Sequence, residues 1–281
     1  MSDSARSDAS CEFRPSGLVT LLTDFGTRDT YVGQMKGVLY ARAPHLRAVV
    51  DLTHEVPPQD TQLAGFFLEH AARVFPAGTL HVAVVDPGVG SPRDILLARL
   101  GSQGVLAPDN GLLDPWLAKA GQDCEIHALD PVRIDSPGQS HTFHGRDRFM
   151  PAAAAWLQGA ELDDLGPPKR RADLVSGMSP SSAQALEGGG FQARILFADH
   201  FGNLITDLDA SRLAPGPDSF ELLHGDLRLP LNRTYAAVDS GSPVALVNSF
   251  DLVELSVRNG NAMASTGLRP GDTLRILPTA R

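Results

Sequence analysis

Two short segments concentrate the residue types that do chemistry. VDPGVGSPR places Asp86 and Arg93 seven residues apart on a loop shaped by Pro and Gly, and HTFHGRD, residues 141–147, groups two histidines, an arginine and an acid ahead of a helical pattern. A guanidinium beside a carboxylate keeps it ionised and can orient a polar reactant. No third ligand accompanies His141 and His144 at a spacing such as HExxH, so no metal site is expected. His141 and Asp147 read as a polar cap, with Asp147 opening the helix. Gly88 and Gly90 fail as a dinucleotide fingerprint, because Arg93 replaces the third glycine, Pro92 obstructs an immediate helix and no Lys-Ser/Thr pair follows. TDFG, residues 23–26, lacks the VAIK and HRD companions of a kinase; GxSxG is absent and neither cysteine has a histidine neighbour.

The elements around these segments must hold them together. LVTLLT (Leu18 to Thr23) reads as a strand buried on both faces, and RAVVDL (Arg47 to Leu52) and TLHVAVVD (Thr79 to Asp86) as a second and a third strand. Between them, TYVGQMKGVLYARA brings Tyr31, Met35, Val38 and Leu39 near one helical face, and Thr61 to Phe75 reads as a second helix. RDILLARL, GVLAP and a helix near Leu112 to Ala120 continue the β-α-β-α-β pattern, which implies a largely parallel sheet covered on both faces. Ligands of such sheets bind beyond the carboxyl ends of the strands. Acids stand at four places read as strand ends, Asp24, Asp51, Asp86 and Asp109; any one could be a cap or turn former, but four together favour a functional reading.

A helix from about Asp147 to Gln158 is followed by ELDDLGPPKRRADLVSGMSPSSAQALEGGG, where apolar periodicity is lost. Beyond Gly190, FQARILFAD, SFELLHG, SPVALVNS, LVELSV and DTLRILP are short alternating runs, the pattern of a small antiparallel β domain or barrel. The expected division is a disordered tail over 1–16, an α/β domain over 17–166, a linker over 167–190 and a β domain over 191–281.

Composition sets the outer limits. The 281 residues, 42% hydrophobic and 20% charged, can bury a sizeable core, which excludes collagen, coiled coil and wholesale disorder. A net charge of -9 without a basic stripe argues against nucleic acid. Two distant cysteines give no disulfide framework and fit a reducing cytoplasm. The start lacks the apolar stretch of a signal peptide and no later run is long enough for a membrane span, so no membrane partner is expected.

LLTDFGTRDTYVGQMKGVLY, VDLTHEVPPQD, GTLHVAVVDPGVGS, APDNGLL, TFHGRD, DHFGNLIT and NGNA, in this order from about Leu18 to Leu277, resemble the S-adenosylmethionine (SAM) hydroxide adenosyltransferases, relatives of the SAM-dependent fluorinase and chlorinase. The resemblance implies an α/β N-terminal domain with a β-barrel-like C-terminal domain. It further implies a homotrimer binding SAM between one subunit's N-terminal domain and its neighbour's C-terminal domain, and hydrolysis of SAM to adenosine and L-methionine. SAM is then the substrate and no cofactor is expected.

The family's Asp-Arg-His set falls on Asp86, Arg93 and His144; the halogenating relatives carry Tyr for that Asp and Ser for that His, so the set implies water as nucleophile. By the same resemblance Asp24 accepts hydrogen bonds from both ribose hydroxyls, Asp199 meets the methionine amine, Asn203 reads adenine, and Ser249 meets the methionine carboxylate. Glu254 and the Val257 backbone line the amino-acid and adenine ends. The chain departs from the pattern where SSGYLE reads Ser249-Phe250-Asp251-Leu252-Val253-Glu254, and at Arg258, where Asn is common. Three other readings compete: a silent SAM- or adenosine-binding module, a metal-dependent hydrolase and a SAM-dependent halogenase. Adenosine release from SAM with EDTA, and with and without chloride, separates them.

Overall fold

The computed structural model describes residues 13–121, 124–136, 138, 140–177 and 183–279. Met1–Ser179 and Pro180–Arg281 form two compact units. The first holds strands β1 (Leu18–Thr23), β2 (Ala48–Thr53), β3 (Leu80–Val84), β4 (Ile95–Leu100), β5 (Gln103–Pro108) and β6 (Cys124–Ala128). Its helices are α1 (Tyr31–Arg42), α2 (Thr61–Ala72), α3 (Asp114–Ala120), α4 (Met150–Leu157) and α5 (Leu162–Leu165). The sheet order is β2-β1-β3-β5-β4-β6.

β1, β2, β3 and β5 run parallel, whereas β4 is antiparallel to both of its neighbours. Only Gly101 and Ser102 join β4 to β5, too few for a crossover, so the chain turns back as a hairpin with Gly101 at φ 57°. The strands alternate between two apolar layers. Val19, Leu21, Val82 and Val84 pack with Met35 and Leu39 of α1 and Trp156 of α4. Leu22, Ala83, Leu96 and Ala98 pack with Ala64 and Leu68 of α2 and Leu117 of α3. Burial on both faces explains why these strands read as continuous apolar runs. Thr23 pairs with Val84, so the chain leaves β1 and β3 at the same end of the sheet.

Of the tail expected to be disordered, residues 1–12 lie outside the described residues, but Phe13 to Ser16 are packed. Phe13 is buried with its ring 5.0 Å from that of Trp156, and Ser16 N donates to Gly78 O at 2.8 Å. An aromatic side chain just ahead of β1 gains more by entering the core than by remaining in water. Of the stretch read as linker, 178–182 lie outside the described residues; Lys169 joins Asp94 and Asp109 at 2.6 and 2.7 Å in the first unit.

In the second unit, β8 (Phe191–Ala198), β9 (Leu204–Asp209), β10 (Phe220–His224), β11 (Leu227–Asn232), β12 (Pro243–Val247), β13 (Leu252–Val257) and β14 (Thr273–Pro278) close into a barrel in the order β14-β10-β11-β12-β13-β9-β8, with β14 pairing back to β8. β11 and β12 are parallel and the other barrel pairs antiparallel. The two-residue β7 (Gln184–Ala185) pairs with β8, and α6 (Ala262–Thr266) follows β13. Ala193, Ile195, Leu204, Leu222, Ala245, Leu255, Leu274 and Ile276 fill the interior. This is the small β domain expected from the alternating runs.

Candidate functional site

Asp86 stands just beyond β3 and begins the loop that returns Arg93 upon it. Val89 N donates to Asp86 O at 3.2 Å and Ser91 N to Gly88 O at 3.0 Å, bending the loop. Arg93 Nε donates to Asp86 Oδ1 at 2.7 Å, while Nη2 donates to Oδ2 and lies 3.0 Å from His144 Nδ1. Gly90 explains the meeting of the two segments: it has φ 83°, and a Cβ there would stand 2.8 Å from His141 O. Only a residue without a side chain allows this backbone approach at that angle.

His144 caps a π-helical turn, Gly145–Phe149, that leads into α4. Sequence periodicity suggests one continuous helix from Asp147, but Pro151 lacks an N–H and crowds the preceding turn, and Met150 N donates instead to Gly145 O. Asp147 does not open the helix as a cap. It is buried, takes Ser140 N at 2.9 Å and receives two bonds from Arg146 at 2.7 and 3.0 Å, clasping the preceding loop. Those Arg146 bonds outweigh burial and hold its carboxyl below the ordinary range. His141 is exposed, and only its carbonyl abuts Gly90.

Burial, then the charges of Arg148 and Arg93, push His144 down to about 4, against an opposing pull from Asp86. The ring is therefore neutral at pH 7. A guanidinium only donates, so Nδ1 accepts from Arg93 and the ring proton resides on Nε2. Both His144 Nε2 and Arg93 Nη1 are buried without a hydrogen-bond partner among the described residues. Two orphaned polar atoms beside one carboxylate are equipped to hold a small polar reactant.

The other strand-end acids separate by role. Asp24, half-buried beyond β1, accepts from Gln59 N at 2.9 Å. Asp109 is buried, bound by Lys169 and by Val175 N at 2.9 Å, which makes it a clasp. Asp51 lies inside β2 rather than beyond it, paired with Leu21. Sequence reasoning misses an aromatic wall: Phe25, Tyr31 and Phe143 contact one another edge-on at 5.2 to 6.1 Å, next in sequence to Asp24 and His144. Phe25 and Phe143 adjoin the motif acids and bases, but nothing in the spacing shows that they meet.

The barrel unit carries its own cavity of about 1140 Å³, whose lining includes Asp199, Asn203, Ser249, Glu254 and Val257. Asp199 takes Phe201 N and Asn203 N on Oδ1 and Asn203 Nδ2 on Oδ2, each at 2.9 Å. Glu254, 2% exposed, receives Tyr235 Oη at 2.7 Å, Asn248 Nδ2 at 3.1 Å and the Ser256 hydroxyl. Asn248 Oδ1 in turn accepts from Phe250 N and Leu252 N, fixing the turn that carries Ser249. Asp251 in that turn has φ 60°, an angle Asp tolerates better than most side chains. Leu252 is buried outside the cavity lining, whereas Phe201, Tyr235, Phe250 and Arg258 line it. Tyr235 and Asn248 carry no sequence signal, because their importance comes from facing Glu254.

Residues 19–166 match the SAM hydroxide adenosyltransferase N-terminal domain and residues 193–275 the C-terminal domain of the same name. The chain is 38% identical to an (R)-S-adenosyl-L-methionine hydrolase of Thermus thermophilus over 92% of this chain and 99% of that one. A fluorinase of Actinoplanes sp. is 25% identical over 92% of this chain and 97% of its own length. Among solved structures, an uncharacterized conserved protein from Thermotoga maritima superposes with a TM-score of 0.82 at 27% identity, covering 92% of this chain and 99% of that one.

Proposed function

The chain belongs to the SAM hydroxide adenosyltransferase family, and from that premise we propose that it hydrolyses SAM to adenosine and L-methionine by attack of water at C5'. The observation that carries this reading is the Asp86-Arg93-His144 cluster with its two orphaned atoms. A sulfonium leaves as a neutral thioether and needs no proton, so the catalytic demand falls on the nucleophile. Water must be held opposite sulfur, about 3 to 3.5 Å from C5'. His144 Nε2–H and Arg93 Nη1–H face the water oxygen and aim it, one of them donating to a lone pair while the other lone pair meets C5'. Neither can accept a proton in this arrangement, since Arg93 is always charged and His144 Nδ1 is occupied.

Asp86 is therefore the base of the three. As the O–C5' bond forms, the C5'–S electron pair goes to sulfur and the water proton passes to the carboxylate, giving adenosine, methionine and one released proton. Proton removal of this kind contributes about 10²- to 10⁴-fold. Asp24 binds the ribose hydroxyls. Asp199, Asn203, Ser249 and the Val257 backbone receive the remaining parts of the ligand, with Glu254 in the lining of the same cavity. A homotrimer in which these two sets of contacts come from neighbouring subunits, a cytoplasmic location and independence of metal and cofactor belong to the same proposal. No described helix is long and apolar enough to cross a membrane. Reaction in ¹⁸O water tests the central step: the label is expected in the 5'-hydroxyl of adenosine, and its absence there overturns the mechanism.

A further inference from the structure

His54 has no role in the steps above, yet it is 4% exposed and grips the Asp24 loop twice. Its Nδ1 lies 2.9 Å from Thr23 Oγ1, and its backbone carbonyl accepts from Gly26 N at 2.8 Å. Thr23 Oγ1 also accepts from Phe25 N at 3.2 Å. Thr23, Phe25 and Gly26 are thus tied to one histidine, directly or through one hydroxyl. Asp24, between them, keeps its carboxylate for Gln59 N and a ligand.

On its far side, His54 Nε2 stands 3.1 Å from Asp51 Oδ1, and Lys36 Nζ donates to Asp51 Oδ2 at 2.6 Å. Burial works against ionisation of Asp51, but Lys36 and His54 outweigh it and hold the carboxyl below its ordinary range. An ionised carboxylate only accepts, so the tautomer with its proton on Nε2 suits Asp51, and in it Nδ1 accepts from the Thr23 hydroxyl. That leaves a Thr23 lone pair for Phe25 N–H. Lys36 is hydrogen-bonded to Asp51, and His54 Nδ1 and Phe25 N both meet the Thr23 hydroxyl, while His54 Nε2 sits at ion-pair distance from Asp51 without an aligned hydrogen bond.

We propose that His54 is a positioning residue for nucleoside recognition: with Thr23 and Asp51 it fixes residues 23–26 so that the Asp24 carboxylate meets both ribose hydroxyls at once. The inference rests on the reading of Asp24 as the ribose acceptor. A carboxylate that bridges two hydroxyls needs one rotational setting, and a loop already held there loses less entropy when the ligand binds.

Calorimetry on the full chain with adenosine and 2',3'-dideoxyadenosine tests it, because the ratio of the two affinities reads the hydroxyl contacts alone. His54→Leu removes both ring nitrogens, and Thr23→Val removes only the hydroxyl. Each is expected to cut the preference for adenosine about tenfold, with the dideoxy affinity changed less than about twofold, and neither to lower the preference further in an Asp24→Ala background. His54→Gln, which keeps one acceptor and one donor, retains more of the preference than His54→Leu. An unchanged preference in Thr23→Val and His54→Leu, or a further loss on top of Asp24→Ala, overturns the positioning role while leaving the Asp24 reading intact. A wild-type preference in Asp24→Ala alone removes Asp24 from the ribose site and overturns both.

Discussion

His144 is buried beside two arginines, and the proposed mechanism turns on that placement. With the ring neutral and Nδ1 facing Arg93, His144 is in that mechanism a donor and Asp86 the acceptor of the water proton. Asp86→Asn is therefore expected to lower turnover about 10³-fold, and Arg93→Ala or His144→Ala about 10²-fold, with SAM affinity changed little in either alanine variant. Single-turnover assays beside equilibrium binding check the split. A parallel loss of affinity would move Arg93 and His144 from the water to the ligand. Glu254 poses a different residue-scale problem, a buried carboxylate taking three neutral donors. Burial, the Glu254 bond and the charges of Glu254 and Asp199 raise the Tyr235 phenol above its ordinary range, so it stays protonated and donates. Glu254→Gln brings an amide N–H toward donors that need an acceptor, and is expected to cost about 1 to 3 kcal/mol in urea unfolding. Tyr235→Phe, which removes one donor and leaves two, should cost about 0.5 to 1.5 kcal/mol. Equal losses would show that Glu254 does not serve as the hub.

At the scale of elements, the parallel register of β1 and β3 brings Asp24 and Asp86 to one end of the sheet, and the π-helical turn before α4 presents His144. The same strands carry an acid-sensitive component. His81 on β3 is fully buried, with Nδ1 2.7 Å from Thr20 Oγ1 on β1 and its ring edge-on to Phe75 and Trp116. Burial pushes it down to about 4 from an ordinary 6.5. Between those values the unfolded chain binds more protons than the folded one, so stability falls as pH drops through this window. His144 shares the same depressed value. Melting temperatures are expected to hold above pH 6.5 and decline toward pH 4, with a shallower decline in His81→Gln. An identical slope in that variant would place the acid sensitivity elsewhere.

At the scale of the whole molecule, the proposed ligand contacts divide into a set in residues 24–144 and a set in residues 199–257, each built within its own compact unit. If the sets serving one ligand come from neighbouring subunits, mixed trimers of Asp86→Ala and Asn203→Ala chains contain some sites with two intact halves. Such mixtures are expected to recover activity that neither variant shows alone. Persistent inactivity after verified subunit exchange would assign both sets to a single chain.

Much of this architecture is written in local pattern. Runs such as LVTLLT and HVAVV specify strands buried on both faces, since period-two alternation disappears only when both sides are covered. The loss of helical period beyond Gly190 likewise announced the β unit, and the ordered motifs marked Asp86, Arg93 and His144 because loop chemistry depends on residue type. What tertiary structure decided depends on which side chains meet. Phe13 left the tail for the core, and Asp147 clasped a loop instead of capping a helix. The His144 proton, the saturation of Glu254 by Tyr235 and Asn248, and the grip of His54 on Thr23 follow from contacts spanning 51, 19, 6 and 31 positions. Hydrogen bonding and burial at such separations are properties of the packed chain, and no periodicity in the sequence encodes them.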